Sequence, residues 1–201
     1  MSDVALMPEQ RLLVGSIGYR AAGWWAILGG ILTEAALFVF LLFSYYYLAI
    51  QPHSGAWPPG GPPSLKLSLP NTFILLASSV AVWWGEWGTK RGNRPIQIAG
   101  LSVALALGVI FVVVQYFEWQ NKPFRISTDA YGSLFFTITG FHMAHVIVGL
   151  LVLSAVLLWS VLGYFGPVRH SYVSIAAIYW HFVDAVWLAV FFTFYITPYL
   201  G

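Results

Sequence analysis

The chain has 201 residues, of which 59% are hydrophobic, 18% aromatic and only 8% Asp, Glu, Lys or Arg. Water-facing surface needs more charge than that, since soluble domains carry roughly a quarter charged residues. A soluble enzyme, a disordered chain and a nucleic-acid binder are excluded, the last because a net charge of +2 offers no basic patch; the absence of cysteine excludes disulfides, iron–sulfur clusters and thiolate zinc.

A bilayer core about 30 Å thick asks for about 20 apolar residues per helix, because no water is there to satisfy free backbone groups. That ruler predicts an all-α, polytopic membrane protein with five transmembrane helices. Residues 1–21 are expected to be a polar cytoplasmic segment without cleavage, because the span after it is too long for a signal-peptide core. Residues 22–201 form the five-helix domain. The predicted spans are Ala22–Ile50, Asn71–Thr89, Ile96–Trp119, Tyr131–Leu162 and Ser171–Thr197. Runs such as Leu101–Val114 are apolar on every face, which excludes the alternating pattern of a membrane barrel. Between the first two spans, Gln51–Pro70 holds six prolines and three glycines and is expected as a stiff, non-helical loop. Lys90–Pro95 is a short charged turn, Asn121–Ala130 is polar, and Gly163–Arg169 contains Gly163, Gly166 and Pro167.

Loop charge orients the bundle. Arg11, Arg20, Lys90, Arg91, Arg94 and Arg169 fall on one side, and Lys66, Lys122 and Arg125 on the other. The positive-inside rule puts the N-terminus in the cytoplasm and the C-terminus outside.

Ionisable side chains within a membrane are costly and therefore functional candidates. They are Glu34, His142, His145, His181 and Asp184, with Glu86 and Glu118 nearer the span ends. Counted along their helices, Glu34 lies about 18 Å, Asp184 about 20 Å and His142 about 16 Å from the nearer end, so they are expected to share one buried polar cluster. His181 and Asp184 are spaced i,i+3, as are His142 and His145, and each pair can touch. Ala22, Ala26, Gly30 and Glu34 make a small-residue stripe along the first span, smooth enough for a helix or lipid tail to approach. Three readings of the histidines stay open on residues alone: haem or metal ligands, a proton or ion relay with Glu34 and Asp184, or polar pairs that fix helix packing.

Tyr179-Trp180-His181-Phe182-Val183-Asp184-Ala185-Val186-Trp187-Leu188 resembles the last-helix signature of subunit III of the haem–copper oxidases. Tyr131-Gly132-Ser133, Phe135-Phe136 and Thr139-Gly140-Phe141-His142-Met143-Ala144-His145-Val146-Ile147-Val148-Gly149 resemble its preceding helix. Gln115, Glu118, Pro123–Ser127 and Asp129 resemble the run between, while Pro70-Asn71-Thr72, Leu75–Ser78 and Thr33-Glu34 match more weakly. Three positions depart from the family pattern: Ala35-Ala36-Leu37 stands where Met and Phe usually follow the Glu34 position, Glu86-Trp87 replaces a His pair, and Ser174 replaces a carboxylate.

The resemblance implies the short, five-helix bacterial form of this family, a cytochrome c oxidase subunit 3 in the bacterial inner (plasma) membrane. It implies no redox centre, catalytic residue, metal or cofactor in this chain, with haem and copper held by partner subunits I and II, and cytochrome c reached through the complex. Bound phospholipid is implied in a cleft along Ala22, Ala26, Gly30 and Glu34, and an intramembrane polar network at Glu34, His142, His145, His181 and Asp184. The implied role is to stabilise the catalytic subunit and support proton uptake during oxygen reduction. The alternatives are the matching subunit of a quinol oxidase, a relative accompanying nitric oxide reductases, and an independent proton-coupled transporter.

Overall fold

The computed structural model describes residues 22–51, 57–59, 61–167 and 169–200. The expected cytoplasmic segment 1–21, with Arg11 and Arg20, lies outside them. Five helices follow in chain order: α1 (Ala22–Ala49), α2 (Leu65–Lys90), α3 (Arg94–Gln120), α4 (Ala130–Val161) and α5 (Ser171–Phe191). All five are long and apolar enough to cross a membrane. The solvent relationship is that of a membrane protein: Leu32, Phe40, Phe73 and Leu151 face outward, while Asn71, Ser78, Gln97, Gln115, Thr139 and His142 are buried.

Two predicted boundaries are corrected. The second helix starts at Leu65, not Asn71, so the last residues of the expected loop are helical. Ser64 caps it by accepting from the Lys66 N–H. Pro70 sits in the second turn, where it leaves the Lys66 carbonyl without its helical N–H partner and its ring crowds that carbonyl. The second correction is at the other end of the chain. After Phe191 the helix widens into a π turn over Phe192–Ile196 and closes with a 3₁₀ turn at Thr197–Tyr199. Thr197 Oγ1 donates to the Phe192 carbonyl at 3.1 Å.

α2 and α3 form the closest hairpin because glycines meet at their crossing. A Cβ on Gly100 would stand 2.5 Å from the Gly85 nitrogen, and one on Gly88 2.8 Å from the Gln97 nitrogen. The turn between them is a helix C-cap, with Gly92 at φ +69° and the Asn93 N–H bonded to the Gly88 carbonyl. Asn93 then caps α3, and Asp129 caps α4 by accepting from the Gly132 N–H at 2.6 Å. α5 lies against α2, α4 and α1 and brings two fully buried tryptophans, Trp180 and Trp187, to the middle of the bundle. α1 rests on α5 and α4 and is the least buried helix.

Basic residues sort to the two ends. Arg94 donates to the Val161 carbonyl and Gly92 approaches Pro167, so Lys90, Arg91, Arg94 and Arg169 share one end, here the basic end. Lys66 and Lys122 line a common pocket at the opposite end.

Candidate functional site

The five intramembrane residues expected as one cluster are separated into two polar contacts and one isolated ring. Glu34 on α1 meets His145 on α4, with Oε2 3.1 Å from Nε2. The other ring nitrogen, Nδ1, lies 2.7 Å from the Phe141 carbonyl oxygen, which only accepts, so Nδ1 is the donor there. One proton therefore lies between Nε2 and Oε2. Phe38 presses edge-on against the His145 ring, and Tyr179 donates to the His145 carbonyl at 3.3 Å. The His145 side chain is 15% exposed and that of Glu34 42%, so the carboxyl sits at the edge of the helix pack, beside its outer surface.

The second contact joins α2 to α5. Ser79 Oγ lies 3.0 Å from His181 Nδ1 and also reaches the Asp184 carboxyl. The expected direct contact between His181 and Asp184 is replaced by this shared hydroxyl. Asp184 Oδ1 has no hydrogen-bond partner among the described residues.

His142 belongs to neither group. It is fully buried, both ring nitrogens lack a hydrogen-bond partner among the described residues, and its ring packs 5.0 Å from Trp187 and 6.0 Å, edge-on, from Phe111. The physical reason is angular. Residues three apart are about 60° apart around a helix, so on α4 position 145 faces α1 while position 142 faces α3 and α5.

The small-residue stripe is open. Ala26 and Gly30 are exposed, and a Cβ built on Gly30 would have nothing within 4 Å. The side chain of Ala22 lies outside the described residues.

Two of the departures from the family pattern meet one another. Glu86 on α2 bonds Ser174 on α5 and pairs with Lys90 at 2.7 Å. The carboxylate absent from α5 is supplied from the facing helix.

A further buried cluster lies at the end opposite the basic one. Tyr195 Oη donates to Glu118 Oε1 at 2.5 Å, and Lys122 Nζ reaches the same oxygen at 2.9 Å. The ammonium also stands 4.9 Å above the Tyr195 ring and 5.0 Å above Phe135. Gln115 contacts Tyr195, and Asn71 donates to the Phe111 carbonyl at 3.2 Å. The i,i+4 spacing of Glu118 and Lys122 was legible in the sequence, but the expected span ended at Trp119. Tyr195 is brought to Glu118 within the π turn, which leaves no signature in the sequence.

Among the described residues no group of three or more His, Asp or Glu side chains is placed to hold a metal ion. Nor, among the described residues, do the polar contacts line up a nucleophile with a base and its orienting partner. The arrangement joins helices through hydrogen bonds that are buried or half-buried.

The family model described as cytochrome c oxidase subunit III matches residues 21–199. Proteins named cytochrome c oxidase subunit 3 from Scyliorhinus canicula, Sus scrofa and Danio rerio are 39%, 40% and 38% identical over 171 residues. Each alignment covers 82% of this chain and 66% of the relative, so the chain spans about two thirds of the length of these relatives. The match runs through all five helices, and the chain belongs to the cytochrome c oxidase subunit III family.

Proposed function

We propose that this chain is the non-redox subunit III of a proton-pumping cytochrome c oxidase. It packs beside subunits I and II, which hold haem and copper, in the plasma membrane of a bacterium with its basic end in the cytoplasm. The observation that carries the reading is the family match over residues 21–199, joined to an interior built from packing contacts. The polar residues hold the helices in register: Glu34 ties the least buried helix to α4 through His145, and Ser79 gathers His181 and Asp184 on α5.

The stripe at Ala26 and Gly30 faces outward with room beside it, which suits a phospholipid chain lying along α1 with Glu34 at its end. By stabilising subunit I near its cytoplasmic entrance, the subunit supports proton uptake during oxygen reduction.

Gentle solubilisation tests this reading. The chain is expected to co-purify with a haem-bearing subunit and with a partner carrying a cupredoxin-type copper domain, and to show no haem absorption when purified alone. A partner set without that copper domain makes the complex a quinol oxidase. A chain that is stable and transports protons by itself contradicts the proposal.

A further inference from the structure

At the end opposite the basic one, the carboxylates are used within the fold and part of the positive charge is not. Glu118 is matched by Lys122 at 2.9 Å, and Asp129 turns to its own helix, accepting from the Gly132 N–H at 2.6 Å. Lys66 and Arg125 are exposed. Neither has an ion pair or a side-chain hydrogen bond among the described residues.

Lys66 and Lys122 line a cavity of about 510 Å³ that is bounded largely by the α1–α2 and α3–α4 connections. Irregular backbone of that kind stays out of the hydrocarbon. The walls include Pro58, Pro62, Pro63 and Phe124, and Glu118, at one wall, is already matched by Lys122. Proline has no N–H to donate. The Pro58 and Pro63 carbonyls are taken by the Gly61 N–H at 3.1 Å and the Tyr199 hydroxyl at 2.8 Å. The loop therefore presents rings, and charge recognition falls to the cations. A second cavity of about 490 Å³ shares Lys122 and Phe124 with the first and is lined by Arg125. Each cavity thus holds one uncommitted cation beside apolar walls. A single small anion would answer one cation and leave the rings bare. A peptide segment with more than one carboxylate, spaced by apolar side chains, answers both.

We propose that this end of the chain is a docking surface for an acidic segment of a partner protein on the outer side of the membrane. Carboxylates of that segment meet Lys66 and Arg125, and its apolar side chains lie against Pro58, Pro62 and Phe124. The inference rests on the orientation proposed above, with the basic end in the cytoplasm, and on the chain working within a complex. Charge complementarity of this kind selects the partner and speeds the encounter more than it tightens the contact.

Zero-length cross-linking of the gently solubilised complex with a water-soluble carbodiimide, followed by peptide mapping, tests it, because the reagent joins a lysine amine to a carboxylate only where the two touch. Lys66 is expected to be joined to an Asp or Glu of another chain, in a segment exposed on the outer side. Coupling only to carboxylates of this chain, or none in a complex that keeps its partners, overturns the proposal. A chain that purifies with no partner at all overturns the functional reading and this surface with it. Lys66→Glu combined with Arg125→Glu is expected to lower retention of the coupled chain about fivefold at low salt, since exposed ion pairs are individually weak. The difference is expected to vanish at about 1 M salt, where the Debye length is about 3 Å. Arg91→Gln, at the basic end, is expected to leave retention intact. Unchanged retention in the double variant overturns the proposal, as does a loss that persists at high salt or an equal loss in Arg91→Gln. Loss of bound phospholipid from the double variant, with every protein partner kept, would make the occupant a lipid and overturn it as well.

Discussion

The indole of Trp180 on α5 lies so close to Gly149 on α4 that a Cβ at position 149 would stand 2.8 Å from its ring. The same ring meets Gly108 on α3, again at 2.8 Å from an added Cβ, and its N–H donates to Ser78 on α2 at 2.9 Å. One side chain thus touches three helices. In a bilayer apolar burial does not drive helices together, so this close packing and its hydrogen bond carry the association.

Gly149→Ala is expected to destabilise the bundle by about 1–3 kcal/mol, because the ring is held on three sides and cannot retreat from the added methyl. Gly140→Ala, on the same helix with nothing within 4 Å of the added Cβ, is expected to be neutral. Thermal unfolding of both variants in one detergent checks the contrast. Equal behaviour of the two contradicts the role given to Trp180.

Trp187 repeats the arrangement two turns on, donating to Thr72 Oγ1 at 3.0 Å. A double-mutant cycle of Trp187→Phe and Thr72→Val is expected to return a coupling of about 0.6 kcal/mol, typical of hydrogen bonds between membrane helices. A coupling of zero removes this bond from the account.

Much of this architecture was legible in the sequence. The five spans follow from the length of apolar runs between Pro-, Gly- and charge-rich breaks, and the charged turn at Lys90–Pro95 fell where Gly92 and Asn93 reverse the chain. Pro70 misled the reading of α2, since the helix runs through this proline from Leu65 and accepts the loss of the bond to the Lys66 carbonyl. The polar residues were legible as residues but not as partners. Spacing along one helix suggested that His181 and Asp184 touch, whereas the bond that forms is to Ser79 on another helix. The contact of Tyr195 with Glu118 needs the π turn, whose extra residue per turn changes which face a side chain occupies without changing composition.

In the Tyr195–Glu118–Lys122 cluster, Glu118→Gln is expected to cost about 3 kcal/mol. It removes the charge facing Lys122, whose side chain is only 10% exposed, and leaves a cation buried without its counter-charge. Adding Lys122→Met is expected to restore part of the loss. Unfolding temperatures of the single and double variants read this directly. A double variant less stable than the single one contradicts the pairing.

The Glu34–His145 contact separates a packing role from a chemical one. Glu34→Gln keeps shape and a donor for Nε2, so initial turnover and proton yield are expected to be unchanged. Glu34→Ala leaves His145 without its partner on α1 at a cost of about 1 kcal/mol, and is expected to shorten the working life of the oxidase. Loss of pumping from the first turnover in Glu34→Gln, in an intact complex, makes the carboxyl a proton carrier instead.

The central claim, a subunit that stabilises a redox enzyme without performing the redox step, is tested most directly by following oxygen consumption over time. The purified oxidase would be measured with this chain present and after its selective removal. The account predicts the same haem spectrum and the same initial rate in both, with activity decaying faster in the depleted complex. An oxidase that loses its haem signal, or that fails to reduce oxygen from the first turnover, would contradict it.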